Sequence, residues 1–242
     1  VTAPPAIEVR GTLRMDGRDL FRDLDLRIAP GEWTCLLGPS GVGKSTILRL
    51  ILGLETGGTF DGSVTASDGQ ALEGRCGYMA QEDLLLPWRD VRGNVGLGAS
   101  LRGVPVDAAK VDALIARVGL SEHADKTPRA LSGGMRQRVA LARTLMEDRP
   151  VVLLDEPFSA LDARTRADMQ ELAADVLKGR TVLLVTHDPA EAIRLGHHVH
   201  VLTQAGLSGW PVPEADPVRD VQAAETQRAQ ADLLAHLRAI AT

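Results

Sequence analysis

The chain has 242 residues, enough to bury a full core within one large α/β domain with a small inserted lobe and no disulfide staple. Its net charge of -5 argues against a general nucleic-acid binder, and an aromatic content of 3% weakens any base-stacking platform. Cys35 and Cys76 lack metal-ligand spacing and read as reduced core residues of a cytosolic protein. No apolar run reaches the roughly 20 residues needed to span a bilayer. The start Val1-Thr2-Ala3-Pro4-Pro5 has no charged-then-apolar signal pattern, so a soluble chain is expected.

Ile7 to Met15 and Leu24 to Ile28 alternate as strands and predict an antiparallel β edge. Pro30-Gly31 turns the chain into Trp33 to Leu37, an apolar run suited to a buried parallel strand. A helix follows from about Lys44 to Leu52, then a polar, turn-rich stretch to Gly74, then a strand from Cys76 to Ala80 ending at Gln81. Val91 to Ser121 is helical in pattern, with Val111, Leu114, Ile115 and Val118 on one face, and Pro128 closes this lobe. A helix from about Gly133 to Glu147 carries the stripe Met135, Val139, Ala142 and Met146. Strand Val151 to Leu154, helix Arg164 to Leu177 and strand Thr181 to Thr186 complete an alternation that gives a mainly parallel sheet covered by helices. Beyond Leu202 the chain is rich in Gly and Pro, and Val221 to Ile240 forms a last amphipathic helix.

Gly38-Pro39-Ser40-Gly41-Val42-Gly43-Lys44-Ser45, with Thr46 after it, fits the phosphate-binding P-loop. Its glycines let backbone N–H groups close on phosphate oxygens, Lys44 reaches the β- and γ-phosphates, and the Ser45 hydroxyl suits magnesium. Val151 to Leu154 ends in Asp155-Glu156, whose side chains diverge. Asp155 can hold hydrated magnesium while Glu156 serves as general base toward water. Gln81 and His187 each follow a strand, and parallel sheets place ligands at the carboxyl ends of their strands. His197-His198-Val199-His200 reads as a solvated strand edge rather than a metal site. Leu131-Ser132-Gly133-Gly134-Met135 opens a second helix with free N–H donors but no lysine, so a triphosphate gripped from two sides, and hence a dimer, is expected.

These residues resemble the ATP-binding subunit of an ABC transporter over roughly residues 7 to 205. The segment from Leu131 through Arg136-Gln137-Arg138 is similar to the family's signature motif, Gln81 to its Q-loop, Ser159-Ala160-Leu161-Asp162 to its D-loop and His187 to its switch histidine. The resemblance implies an α/β P-loop NTPase core with an antiparallel β subdomain and a helical signature subdomain at about 88–135, followed by an extension at 206–242 without a further regulatory domain. It also implies a homodimer in the ATP-bound state, with each ATP between the P-loop of one subunit and Ser132, Gly133 and Gly134 of the other. Glu156 would polarise water, His187 would contact the γ-phosphate, Gln81 would link magnesium to the membrane partner, and Asp162 would contact the opposite subunit.

Where the family stacks adenine on an aromatic, this chain has Met15. The stretch Gln81 to Trp88, with Val91 and Asn94-Val95, resembles importers of the nitrate, sulfonate, taurine and thiamine-precursor group, and exposed Leu86 and Trp88 would form a groove for a permease helix. The expected activity is ATP hydrolysis with Mg2+, energising import of a small solute. Permease subunits are direct partners, a solute-binding protein is an indirect one, and nucleic acid is not a partner. The expected location is peripheral, on the cytoplasmic face of the bacterial inner membrane. The competing expectation is a non-transport ABC ATPase acting with DNA, ribosomes or cluster assembly.

Overall fold

Alternating residues at the start of the chain form β1 (Ile7–Met15), which pairs antiparallel with β2 (Arg18–Ile28), Ile7 opposite Ile28 and Met15 opposite Arg18. The strand expected at Leu24 thus begins at Arg18, because a tight turn after Met15 folds the chain straight back. A further strand, β4 (Thr59–Ala66), lies on the other edge of β1 within the segment read as turns. Its polar residues are mostly exposed, and main-chain pairing along β1 defines it in place of an apolar face. The computed structural model describes residues 3–240, so Val1 and Thr2 of the expected leader-free start, and Ala241 and Thr242 of the extension, lie outside the described residues.

The second sheet has the order β5-β6-β7-β3-β8-β9, with β3 (Trp33–Leu37), β5 (Cys76–Met79), β6 (Val151–Asp155), β7 (Thr181–Val185), β8 (His198–Thr203) and β9 (Gly206–Trp210). Every residue of β3, β6 and β7 is buried, the mark of parallel strands covered on both faces. The histidine segment is no solvated edge, since β8 runs parallel to β3 on one side and antiparallel to β9 on the other. His197 accepts a hydrogen bond at Nδ1 from the Trp33 amide (3.1 Å), which requires an unprotonated nitrogen, and burial lowers its pKa. Cys35 is fully buried in β3, with its thiol pushed up by desolvation.

The chain divides into two compact units, the first made of Val1–Cys76, Pro150–Asp155 and Lys178–Thr242, the second of Gly77–Arg149 and Glu156–Leu177. The first also holds α1 (Lys44–Ile51), α7 (Pro189–Leu195) and α8 (Ala224–Ile240). Arg219 is buried and donates to the carbonyls of Ile193 (2.6 Å), Gly196 (2.7 Å) and Pro213 (3.1 Å), which fastens the chain entering α8 to the end of α7. Leu233 of α8 is fully buried, and the Trp210 and His236 rings meet at 4.6 Å.

The second unit is helical, with α2 (Val91–Val95), α3 (Leu97–Leu101), α4 (Ala108–Arg117), α5 (Gly133–Met146) and α6 (Ala163–Val176). The helical run expected over 91–121 is therefore three helices, broken at Gly96 and in the loop around Pro105, whose ring cannot sit inside a helix. Val111, Leu114, Ile115 and Val118 are buried as the periodicity predicts. In α5 Val139 and Ala142 are buried, but Met135 and Met146 are half-buried, and Leu141 and Leu145 complete the apolar stripe.

Candidate nucleotide site

In the first unit, strand register assembles the chemistry. Leu36 of β3 and Asp155 of β6 both lie beside Val185 of β7, so the P-loop after β3, the Asp155 carboxylate and the turn carrying His187 leave the sheet at one edge. The Thr186 amide donates to the Leu36 carbonyl (3.2 Å), and the Thr186 hydroxyl donates to Glu191 (2.7 Å), which ties down the residue before His187. His187 itself is exposed.

The loop closes on glycines for steric reasons. A Cβ on Gly38 would collide with the Leu202 carbonyl, and one on Gly43 would press to 3.1 Å on Leu20 and Phe21; both residues have positive φ, at 149° and 106°. Gly43 caps α1 without a side-chain bond, and no acid occupies the first turn, so the leading N–H groups and the positive end of the helix dipole suit an anion. Lys44 is buried, and its ammonium donates to the carbonyls of Gly38 (2.7 Å) and Pro39 (2.9 Å) across its own loop. Ser40, Gly41 and Ser45 are exposed, Pro39 and Thr46 half-buried, and Val42 buried. The Ser45 hydroxyl and the buried Asp155 carboxylate are hard oxygen donors of the kind magnesium takes alongside phosphate and water. Met15 lies half-buried at the end of β1, opposite Arg18.

The second unit holds the other residues singled out from sequence. Ser132 caps α5, its hydroxyl accepting from the Met135 amide (3.2 Å), and Gly133-Gly134 form the first turn. A Cβ on Gly134 would stand 3.2 Å from the Ala160 carbonyl, so glycine there lets the segment Ser159 to Asp162 approach closely. Asp162 caps α6, and hydrogen bonds from Thr165 hold its carboxyl below the ordinary range. Gln81 and Glu156 come together, with the Gln81 amide nitrogen donating to Glu156 Oε2 at 3.4 Å. Glu156 has φ 49°, a left-handed conformation that costs a non-glycine residue energy, and its carbonyl accepts from the Ser159 amide (3.3 Å) and hydroxyl (3.0 Å).

Gln137, Arg136, Arg143 and Asn94 make contacts that a motif-based reading does not supply. Gln137 is buried and donates through Nε2 to the carbonyls of Glu156 (3.4 Å) and Pro157 (3.2 Å), which holds the strained Glu156 backbone. Its signal was available: Gln137, Leu141 and Thr144 recur at i, i+4 and i+7 and are all buried. Arg143 donates to the carbonyls of Leu84 (2.8 Å) and Asp83 (2.7 Å), and Arg136 pairs with the Asp83 carboxylate (2.8 Å). Asn94 is fully buried and bonds to Leu86 through both amide atoms, and to the Arg89 and Asp90 carbonyls. The loop from Asp83 to Asp90 is thus held by its backbone while Leu84 and Trp88 are 59% and 74% exposed. Leu86, expected to be exposed, is half-buried because Asn94 grips its amide and carbonyl, and Leu84 takes its place on the surface.

Known proteins share this arrangement. The family model described as ABC transporter matches residues 21–159. An uncharacterised ABC transporter ATP-binding protein of Haemophilus influenzae is 42% identical, over 93% of this chain and 95% of its own length. Aliphatic sulfonates import ATP-binding proteins are similar as well: one from Agrobacterium fabrum at 46% identity (84% of this chain, 78% of the relative) and one from Xanthomonas axonopodis pv. citri at 43% (94% of each). Among solved structures, a dimeric ATP-binding cassette in a post-hydrolysis state with ADP and phosphate superimposes with TM-score 0.74 at 26% identity, covering 88% of this chain and 99% of the other. A bacterial Atm1-family ABC exporter with ATP bound gives 0.77 at 25% identity, covering 97% of this chain and 43% of the exporter. The chain belongs to the ABC transporter family, as one of its ATP-binding, ATP-hydrolysing subunits.

Proposed function

We propose that this subunit hydrolyses ATP in a closed homodimer and so drives import of a small solute through a separate permease. The observation that carries the reading is the strand register that brings the Lys44 loop, Asp155 and the His187 turn to one sheet edge. Residues 38–46 cradle the phosphates by backbone N–H groups, Lys44 neutralises the β- and γ-oxygens, and the base extends toward the β1–β2 hairpin, where Met15 and Leu20 stand. Magnesium would screen phosphate charge when bound, and Ser45, Asp155 and Gln81 would be its protein donors. Glu156 orients water and takes its proton as the oxygen bonds to the γ-phosphorus and the bridging P–O bond breaks, giving ADP and phosphate. His187 stabilises the γ-phosphate, while Ser132, Gly133 and Gly134 of the partner subunit close on it from the other side.

The sulfonate-importer names of the relatives support import over other ABC functions, and a small organic anion of that kind as cargo. No helix among the described residues is long and apolar enough to cross a membrane, which fits a peripheral subunit on the cytoplasmic face of the inner membrane. Leu84 and Trp88, exposed on a loop whose backbone is fixed, form the apolar site that takes a permease helix. The test is Glu156→Gln: ATP binding persists while steady-state phosphate release falls at least about 100-fold. Phosphate release at the normal rate would refute the assignment of the base.

A further inference from the structure

The segment after Trp210 carries none of the chemistry above, yet one of its side chains reaches the helix that begins beside His187. That helix, α7, starts at Pro189 with Asp188 as its cap and runs seven residues to Leu195, a rod about 10 Å long. A helix leaves its last carbonyls without partners inside it, and its C-terminal end is negative. Arg219 answers both needs here. Its backbone N–H donates to the Arg194 carbonyl (3.0 Å), and its guanidinium, 4% exposed, donates to the carbonyls of Ile193 (2.6 Å) and Gly196 (2.7 Å). The other arm of the planar fork holds the Pro213 carbonyl (3.1 Å), which locks the chain before α8 to the same point.

The two ends of α7 are fixed by different parts of the chain. At the far end, Gly196 lies so near β3 that an added Cβ would stand 2.9 Å from Cys35 Sγ, and Ala192, Ile193 and Leu195 are buried. At the near end, the buried Glu191 carboxylate accepts from the Thr186 hydroxyl (2.7 Å), whose oxygen accepts from the Asp188 amide (3.0 Å). These bonds bracket His187. The Thr186 amide is tied in turn to the Leu36 carbonyl (3.2 Å) of the strand that leads into the phosphate loop. A two-turn helix gains little from its own hydrogen bonds, so its placement depends on what holds its ends.

We propose that Arg219 is a positioning residue for His187, fixing the far end of α7 so that the turn before it presents the imidazole to the γ-phosphate. The proposal rests on the role given to His187 above, and it assigns the C-terminal extension a part in hydrolysis. Steady-state turnover and amide exchange of the full chain test it. Arg219→Met, which keeps the stem and removes the donors, should lower kcat roughly tenfold with KM for ATP unchanged. Exchange at the Thr186 and Asp188 amides should quicken roughly tenfold, while Leu153 and Leu154 in β6 keep the wild-type rate. Arg219→Lys, with the charge but no fork, should show the same pattern at about threefold, and it decides the matter if Arg219→Met does not fold. An unchanged kcat would overturn the proposal, as would exchange quickened equally in β6 and around His187, the mark of a general loss of stability. Lost turnover in His187→Gln beside a wild-type rate in Arg219→Met would overturn this proposal alone. Wild-type turnover in His187→Gln would overturn the reading beneath it.

Discussion

Gln137 holds the backbone at Glu156, the residue proposed as the base. Its amide meets the carbonyls of Glu156 and Pro157, and the Glu156 backbone has φ 49°, a conformation that persists only under such constraint. Gln137→Leu removes both bonds with little change in volume and leaves a buried Pro157 carbonyl short of a donor, at a cost of about 1–3 kcal/mol. The measurable outcome is a kcat about tenfold or more below wild type with nucleotide affinity intact; equal kcat in both proteins would deny the positioning role. His197 makes a separate prediction about pH. Its folded pKa is lowered by burial and its Nδ1 accepts from Trp33, so below about pH 6.5 the unfolded chain takes up a proton that the native state resists. Stability therefore falls as pH drops through 6.5, and a His197→Gln variant should show a shallower loss of thermal midpoint between pH 7 and pH 5.5.

Elements differ in how far residues alone specify them. The strands Trp33–Leu37, Val151–Asp155 and Thr181–Val185 are apolar and fully buried, so their position in a covered parallel sheet follows from composition. β4 does not, because its stability comes from hydrogen bonds to β1 across a long sequence separation, and Thr59–Ala66 has neither an apolar face nor a turn signature. The same contrast holds in the site. The P-loop and the cap at Ser132 are local motifs, legible because steric and capping demands act within a few residues. Gln137 and Arg143 work on backbone about 20 and 60 residues away, at Pro157 and Asp83, which no spacing within a local motif reveals. At the start of α5, Ser132→Ala should lower stability by about 1 kcal/mol through loss of the cap, read from denaturant unfolding. Ser132→Arg should keep ATP binding by the single subunit and lose dimer-dependent turnover.

For the molecule as a whole, the proposed labour is divided between one unit that carries the P-loop and a helical unit that carries the signature residues and the apolar loop. Trp88→Asp should leave the stability of the isolated subunit unchanged, since the side chain is 74% exposed, yet abolish co-purification with a permease. In the proposed working state, ATP is enclosed between the P-loop of one subunit and the signature of another. Sedimentation of Glu156→Gln with ATP addresses it most directly, with Ser132→Arg added in the same background as the control. A dimer holding one ATP per chain, reverting to ATP-bound monomer when Ser132→Arg is added, is the expected result. An ATP-bound monomer for Glu156→Gln alone, or a dimer indifferent to Ser132→Arg, would contradict the two-sided site.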